Sequence, residues 1–249
     1  MLTGTALLGI GGCAPAPDPA VAPGPATIER RASAARLRDV DVVTMRPEGV
    51  PGDLPVCLML HGRGSTARSF IDLGVPRFLT AARAAGVPPF AAVAVDCGDG
   101  YFTAHPDDDA LRMLTDEVPG WIGRAPVAAL GISMGGFGSL RLARVRRDLR
   151  AVALLSPAMF LSWADARARN AFTDEAEWTA DEPLRHLPEI AGTPVGLWIG
   201  QDDPFVPAAR RFIAGARPDP AVIGPGAHDD TFWQRVLPDA LAFVGRHLS

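Results

Sequence analysis

From about residue 40 onward, short runs of β-branched and aliphatic residues alternate with longer stretches whose apolar positions recur three and four apart. The runs 40–45, 56–60, 90–96, 127–130, 151–155, 195–199 and 221–223 predict strands. Helical spacing covers 76–85, 110–122, 134–147, 207–216 and 231–247. Several of the strand runs are nearly continuous in apolar residues, the pattern of a strand covered on both faces, whereas a half-exposed strand would alternate. Strands that alternate with helices in this way predict an α/β fold: a mostly parallel, twisted sheet with helices on both faces. No internal repeat is present.

One segment breaks the rhythm. Residues 157–192 contain Trp163, Phe172 and Trp178 but no strand pattern, so they read as an insertion after a strand end. Sheets of this class bind ligands at the carboxyl ends of their strands. The insertion is therefore expected to form a small lid or a substrate wall, the alternative being a peripheral helical excursion that buries its own aromatics.

Composition changes this picture little. With 249 residues, 48% hydrophobic and 21% charged, the chain can bury a full core, and residues 38–249 read as one catalytic domain. Residues 1–37 read as a leader and Pro/Ala-rich tether without order. The net charge of -4 lacks the basic excess expected of a nucleic-acid partner. Arg30, Arg31, Arg36 and Arg38 form the one notable basic cluster and read as a solvated linker face.

At the N-terminus, the apolar and small residues 2–12 end in Ile10-Gly11-Gly12-Cys13, which resembles a bacterial lipobox. That predicts an exported protein with a lipid anchor at Cys13, although no Lys or Arg precedes the apolar run. The competing expectation is an Ala/Gly-rich leader on a cytoplasmic protein. The 3 cysteines suit neither a disulfide framework nor a zinc site, and no metal is expected. Cys57 and Cys97, on neighbouring parallel strands, would be offset by about 13 Å, beyond disulfide reach.

The candidate chemistry centres on Gly131-Ile132-Ser133-Met134-Gly135, which follows an apolar run and opens a helical one. G-x-S-x-G in that context is a strained strand-to-helix turn that lifts a nucleophilic serine above a sheet. With 8 serines and 26 glycines in the chain, about 0.09 accidental matches are expected, so chance is a poor explanation. A serine hydroxyl needs a base, and the base needs an acid that fixes its tautomer. His228, in the loop Gly224-Pro225-Gly226-Ala227-His228, is the expected base, whereas His247 ends a helix and His186 falls in the insertion. Asp203 is the expected acid, in Gly200-Gln201-Asp202-Asp203-Pro204, with Asp202 left open because adjacent side chains point apart. The oxyanion of acyl transfer requires preorganised N–H donors. These are expected from the backbone amides of Met134 and of Arg63, the latter in the strand-to-loop run Leu60-His61-Gly62-Arg63-Gly64. His61 is expected to pack beneath the site without acting as a base.

Together these residues resemble the putative-esterase family of α/β-hydrolases, which includes S-formylglutathione hydrolases, feruloyl esterases and mycolyltransferases. The resemblance runs from about Val40 to the C-terminus. It rests on His61-Gly62-x-Gly64, on Gly131 through Gly138, on Asp203-Pro204-Phe205 with Pro207, and on Gly226-Ala227-His228-Asp229 followed by Phe232-Trp233. It implies the α/β-hydrolase fold and a serine esterase with catalytic Ser133, His228 and Asp203, acting on a small-molecule or lipid ester without a cofactor. Tyr101 and Phe102, in a loop similar to a substrate-facing loop of such enzymes, are expected in the pocket, with Trp163 of the insertion. Arg63 stands where many relatives carry an apolar residue. Two alternatives remain open at this point: an acyltransferase on the same residues, and a non-catalytic binding protein on a hydrolase scaffold.

Overall fold

The computed structural model describes residues 21–249, and the expected anchor Cys13 lies outside them. Eight strands form one sheet: β1 (Ala26–Ser33), β2 (Arg38–Met45), β3 (Val56–Leu60), β4 (Ala91–Val95), β5 (Ala128–Ile132), β6 (Ala151–Leu155), β7 (Val195–Gly200) and β8 (Ala221–Gly224). Their spatial order is β1-β2-β4-β3-β5-β6-β7-β8. β1, β2 and β4 pair antiparallel, and every later pairing is parallel.

The strands β3 to β7 are buried along their whole length, which is why they read as continuous apolar runs. One face is covered by helices Val75–Ala84 and Asp230–His247, whose Phe78, Leu79, Val236, Leu237 and Leu241 pack on Met59, Ala94 and Leu130. The other is covered by Met134–Val145, Val206–Ala216 and the helical stretch of residues 110–122. The chain leaves β3 toward β4 on one side and reaches β5 on the other, so the strand order reverses at β3. The crevice at such a reversal, outside the carboxyl ends of the strands, is where these sheets hold ligands.

Two expectations are corrected. The stretch 1–37 is not wholly a tether, because 26–33 form β1, paired with β2 from Ala26↔Met45 to Ser33↔Arg38. Most of β1 is exposed, so ladder hydrogen bonds and contacts of Arg30 with Asp39 and Asp41 hold it in place of core burial, and no apolar pattern announces it. Nor is Arg36 part of a solvated face. It is 1% exposed, donates from Nε to Asp108 Oδ1 at 2.6 Å, and donates from Nη1 to the carbonyl of Asp96. Burial opposes its charge, and Asp108 outweighs that and holds the guanidinium above its ordinary pKa.

The insertion 157–192 folds into helices Trp163–Arg167 and Glu175–Asp181 and two short 3-10 turns. Its Ala158, Met159, Phe160, Trp178 and Leu184 are buried in the same core as the helix Met134–Val145, so it is a fixed wall of the domain. Its hub is Glu182, completely buried, whose carboxylate accepts from Phe160 N–H at 3.0 Å, Trp178 Nε1–H at 3.1 Å and Leu184 N–H at 3.2 Å.

Candidate active site

Ser133 is the hinge between β5 and the helix Met134–Val145, with φ 54° and ψ −116°. A non-glycine residue in that region costs about 1–3 kcal/mol and persists only where its surroundings over-determine it. Here both sides of the turn are tied to the chain leaving β6: Ser133 N–H donates to Leu155 O at 2.9 Å, and Ala158 N–H donates to Ser133 O at 3.0 Å. The flanking glycines are required by contact. A Cβ on Gly131 would overlap the carbonyl of Gly135, and one on Gly135 would overlap the carbonyl of Leu60.

His228 and Asp203 converge on this hydroxyl from the loops after β8 and β7. His228 Nε2 lies 2.9 Å from Ser133 Oγ, and His228 Nδ1 lies 2.7 Å from Asp203 Oδ2. A carboxylate oxygen accepts, so the imidazole proton belongs on Nδ1, and Nε2 is left with a lone pair facing the serine hydroxyl. Asp203 is itself fixed, its Oδ1 accepting from Phe205 N–H at 2.8 Å and its side chain fully shielded from solvent. Asp202 is exposed, so of the two carboxylates left open by the sequence the structure brings Asp203 to His228. The imidazole is held between Phe205 and the edge of Trp233, with ring centroids at 5.3 and 5.2 Å. Sequence reasoning quoted both aromatics within motifs but gave neither a place beside the histidine.

The loop after β3 passes directly over Ser133. A Cβ on Gly62 would stand 3.4 Å from Ser133 Cβ, which puts Arg63 one residue from the serine and Met134 immediately after it. Three contacts from the chain after β4 clamp this loop. His61 Nε2 accepts from Cys97 N–H at 2.9 Å, Gly64 N–H donates to Asp99 Oδ1 at 2.6 Å, and Ala67 N–H donates to Asp96 Oδ1 at 2.7 Å. Asp96 also accepts from Asp41 N–H, so it is a strand-end staple. His61 is 1% exposed and burial lowers its pKa, so a neutral ring that accepts at Nε2 fits a packing role. Burial likewise raises the Cys57 thiol and pushes Cys97 up to about 12, and both remain free thiols, with Cys57 in register with Ala92 on β4.

A cleft of 290 Å³ opens beside the serine turn, lined by Gly62, Arg63, Ile132, Phe70, Leu73 and Trp233. A larger depression of 480 Å³ lies at the opposite end of β7, around Val195, Arg217 and His247. The three expected pocket residues sit elsewhere. Tyr101 and Phe102 are each 2% exposed. The Phe102 ring fills the space that a side chain on Gly138 would need, beneath the helix Met134–Val145. Tyr101 packs edge-on against Phe137 at 5.4 Å within a cluster that includes Phe160 and Phe172. Trp163 packs on Trp178 within the insertion.

A reversing, mostly parallel sheet with a strained serine turn at its carboxyl edge, and a histidine and aspartate delivered by later loops, defines the α/β-hydrolase fold. Solved structures of that class overlie nearly the whole chain. A ferulic acid esterase matches with a TM-score of 0.79 at 18% identity, over 91% of this chain and 99% of that one. An S-formylglutathione hydrolase from Agrobacterium tumefaciens matches with a TM-score of 0.73 at 17% identity, over 91% and 96%. The fluorophosphonate-binding serine hydrolase FphF of Staphylococcus aureus matches with a TM-score of 0.70 at 17% identity, over 90% and 99%. No family model matches the chain, and no curated protein matches it in sequence.

Proposed function

We propose that this protein is a serine esterase that cleaves carboxylic esters of small molecules or lipids through an acyl-enzyme on Ser133. His228 Nε2 removes the hydroxyl proton as Oγ attacks the ester carbonyl, and Asp203 holds the imidazole in register and stabilises its positive charge. The oxyanion forms beneath the backbone amides of Met134 and Arg63. His228 then returns the proton to the leaving alcohol, and water attacks the acyl-enzyme by the same route in reverse. The observation that carries this reading is the hydrogen-bonded run Ser133–His228–Asp203 at 2.9 and 2.7 Å on a strained turn. The esterase and hydrolase descriptions of its structural neighbours agree with it.

Hydrolysis is favoured over acyl transfer by the access of water: the His228 side chain is 23% exposed, and a transferase must keep water from its acyl-enzyme. The test is turnover of 4-nitrophenyl esters from acetate to palmitate by the wild type and by Ser133→Ala, with folding matched by circular dichroism. Ester turnover that falls by about 10⁴-fold or more in the variant supports the reading. Equal inactivity of two folded proteins would move a binding role to the front.

A further inference from the structure

Arg169, in the insertion, stands against the wall of this site with a hydrogen-bonding group unused. Its guanidinium lies over Phe205 at 5.5 Å and over Phe160 at 5.7 Å, and Phe205 in turn packs on His228 at 5.3 Å. Cation, aromatic ring and imidazole thus follow one another in contact. The Nε–H of Arg169 is buried and has no hydrogen-bond partner among the described residues. No carboxylate of the described residues lies within ion-pair distance of Arg169, whereas Arg36 is paired with Asp108 and Arg141 with Asp181. A buried donor left unpaired is costly, and a charged one more so.

The wall beneath Arg169 is preorganised, since Glu182 anchors the backbone of Phe160.

An arginine approached along its Nε edge offers two parallel N–H donors, a fork that matches the two oxygens of a planar carboxylate. We propose that Arg169 selects esters that carry a carboxylate remote from the scissile bond. The substrate anion takes up the unused Nε–H and an adjacent Nη–H, and the insertion that supplies Arg169 thereby sets specificity. This rests on the esterase reading above and names the substrate class for the same site.

The experiment compares anionic and neutral esters of matched shape. On the acyl side the pair is the 4-nitrophenyl monoester of adipic acid and its methyl-capped form, and on the alcohol side it is 4-acetoxybenzoate and its methyl ester. In the wild type at low salt, the kcat/KM ratio of anionic to neutral ester in one of the pairs is expected to be about tenfold or more, the discrimination typical of one charge-assisted contact. Half-molar sodium chloride should compress it. Arg169→Met should bring that ratio to about one, and Arg169→Lys, which keeps the charge but not the fork, should fall between. The proposal is overturned if neither pair shows a preference, or if the ratio survives Arg169→Met. Should that variant misfold, the salt response and the lysine variant still decide. Binding of 4-acetoxybenzoate and its methyl ester to Ser133→Ala, read by calorimetry, separates the two readings. Anion-selective binding without turnover sinks the esterase and keeps the selectivity, whereas turnover without anion selectivity does the reverse.

Discussion

Asp203 Oδ2 accepts from His228 Nδ1–H at 2.7 Å, while the neighbouring Asp202 turns to solvent. The difference lies in the turn after β7, where Asp203 N–H bonds back to Gly200 O at 3.1 Å and Asp203 Oδ1 is held by Phe205 N–H. Asp203→Asn preserves the shape but can present an N–H to Nδ1, which would push the imidazole into the wrong tautomer. A fall in kcat of about 10³–10⁴-fold is expected, with Asp202→Asn within about threefold of wild type. Steady-state kinetics on one 4-nitrophenyl ester check this, and equal losses in the two variants would refute the assignment of the acid.

On the proposed mechanism, Asp99 acts on the oxyanion through the backbone. Its Oδ1 holds Gly64 N–H at 2.6 Å, one residue beyond the Arg63 amide. Asp99→Ala frees that end of the loop, and kcat should fall by about tenfold with KM little changed, because the amide serves the charge that develops in the transition state. Asp99→Asn retains an acceptor oxygen and should recover most of the rate. A loss that appears in KM alone would instead place Asp99 in ground-state binding.

The close approach of Gly135 to β3 gives a stability prediction. A methyl group there meets the Leu60 carbonyl, which is backbone in a buried strand and cannot swing aside. Gly135→Ala should destabilise the fold by about 3 kcal/mol or more, measured as a lower urea midpoint. Gly120→Ala, where an added Cβ meets nothing within 4 Å, is the control and should leave the midpoint close to wild type.

Much of this was legible in the chain because it rests on periodicity and local strain. The buried strands β3 to β7 carry continuous apolar runs, and the serine turn demands glycines at fixed spacing, so both announce themselves. What escaped depends on contacts between distant segments. β1 is mostly exposed and carries no apolar stripe, Arg36 is paired through residues 60 and 72 positions away, and Glu182 gathers three donors that no local pattern links to it. The Tyr101-Phe102 loop looked aromatic enough for a pocket, but an aromatic in a loop is equally suited to fill the gap above a glycine, as Phe102 does over Gly138.

Glu182 also makes the stability of the protein depend on pH. Burial drives its carboxyl up to about 7, against the three hydrogen bonds that favour the ionised form. A carboxyl whose pKa is higher in the fold than in the unfolded chain keeps its proton longer when folded. Between the ordinary carboxylate range and about pH 7 the native state therefore binds more protons than the unfolded one, and stability falls as pH rises through that window, then levels off above it. The full effect is about 3 kcal/mol. Glu182→Gln keeps an acceptor for the hub but cannot ionise, so its stability should lack this slope. Urea unfolding at pH 4.5 and pH 8 should show the wild type losing ground to the variant by about 3 kcal/mol as pH rises. Parallel profiles would mean that Glu182 titrates alike in both states, and that its three donors alone offset the cost of burial.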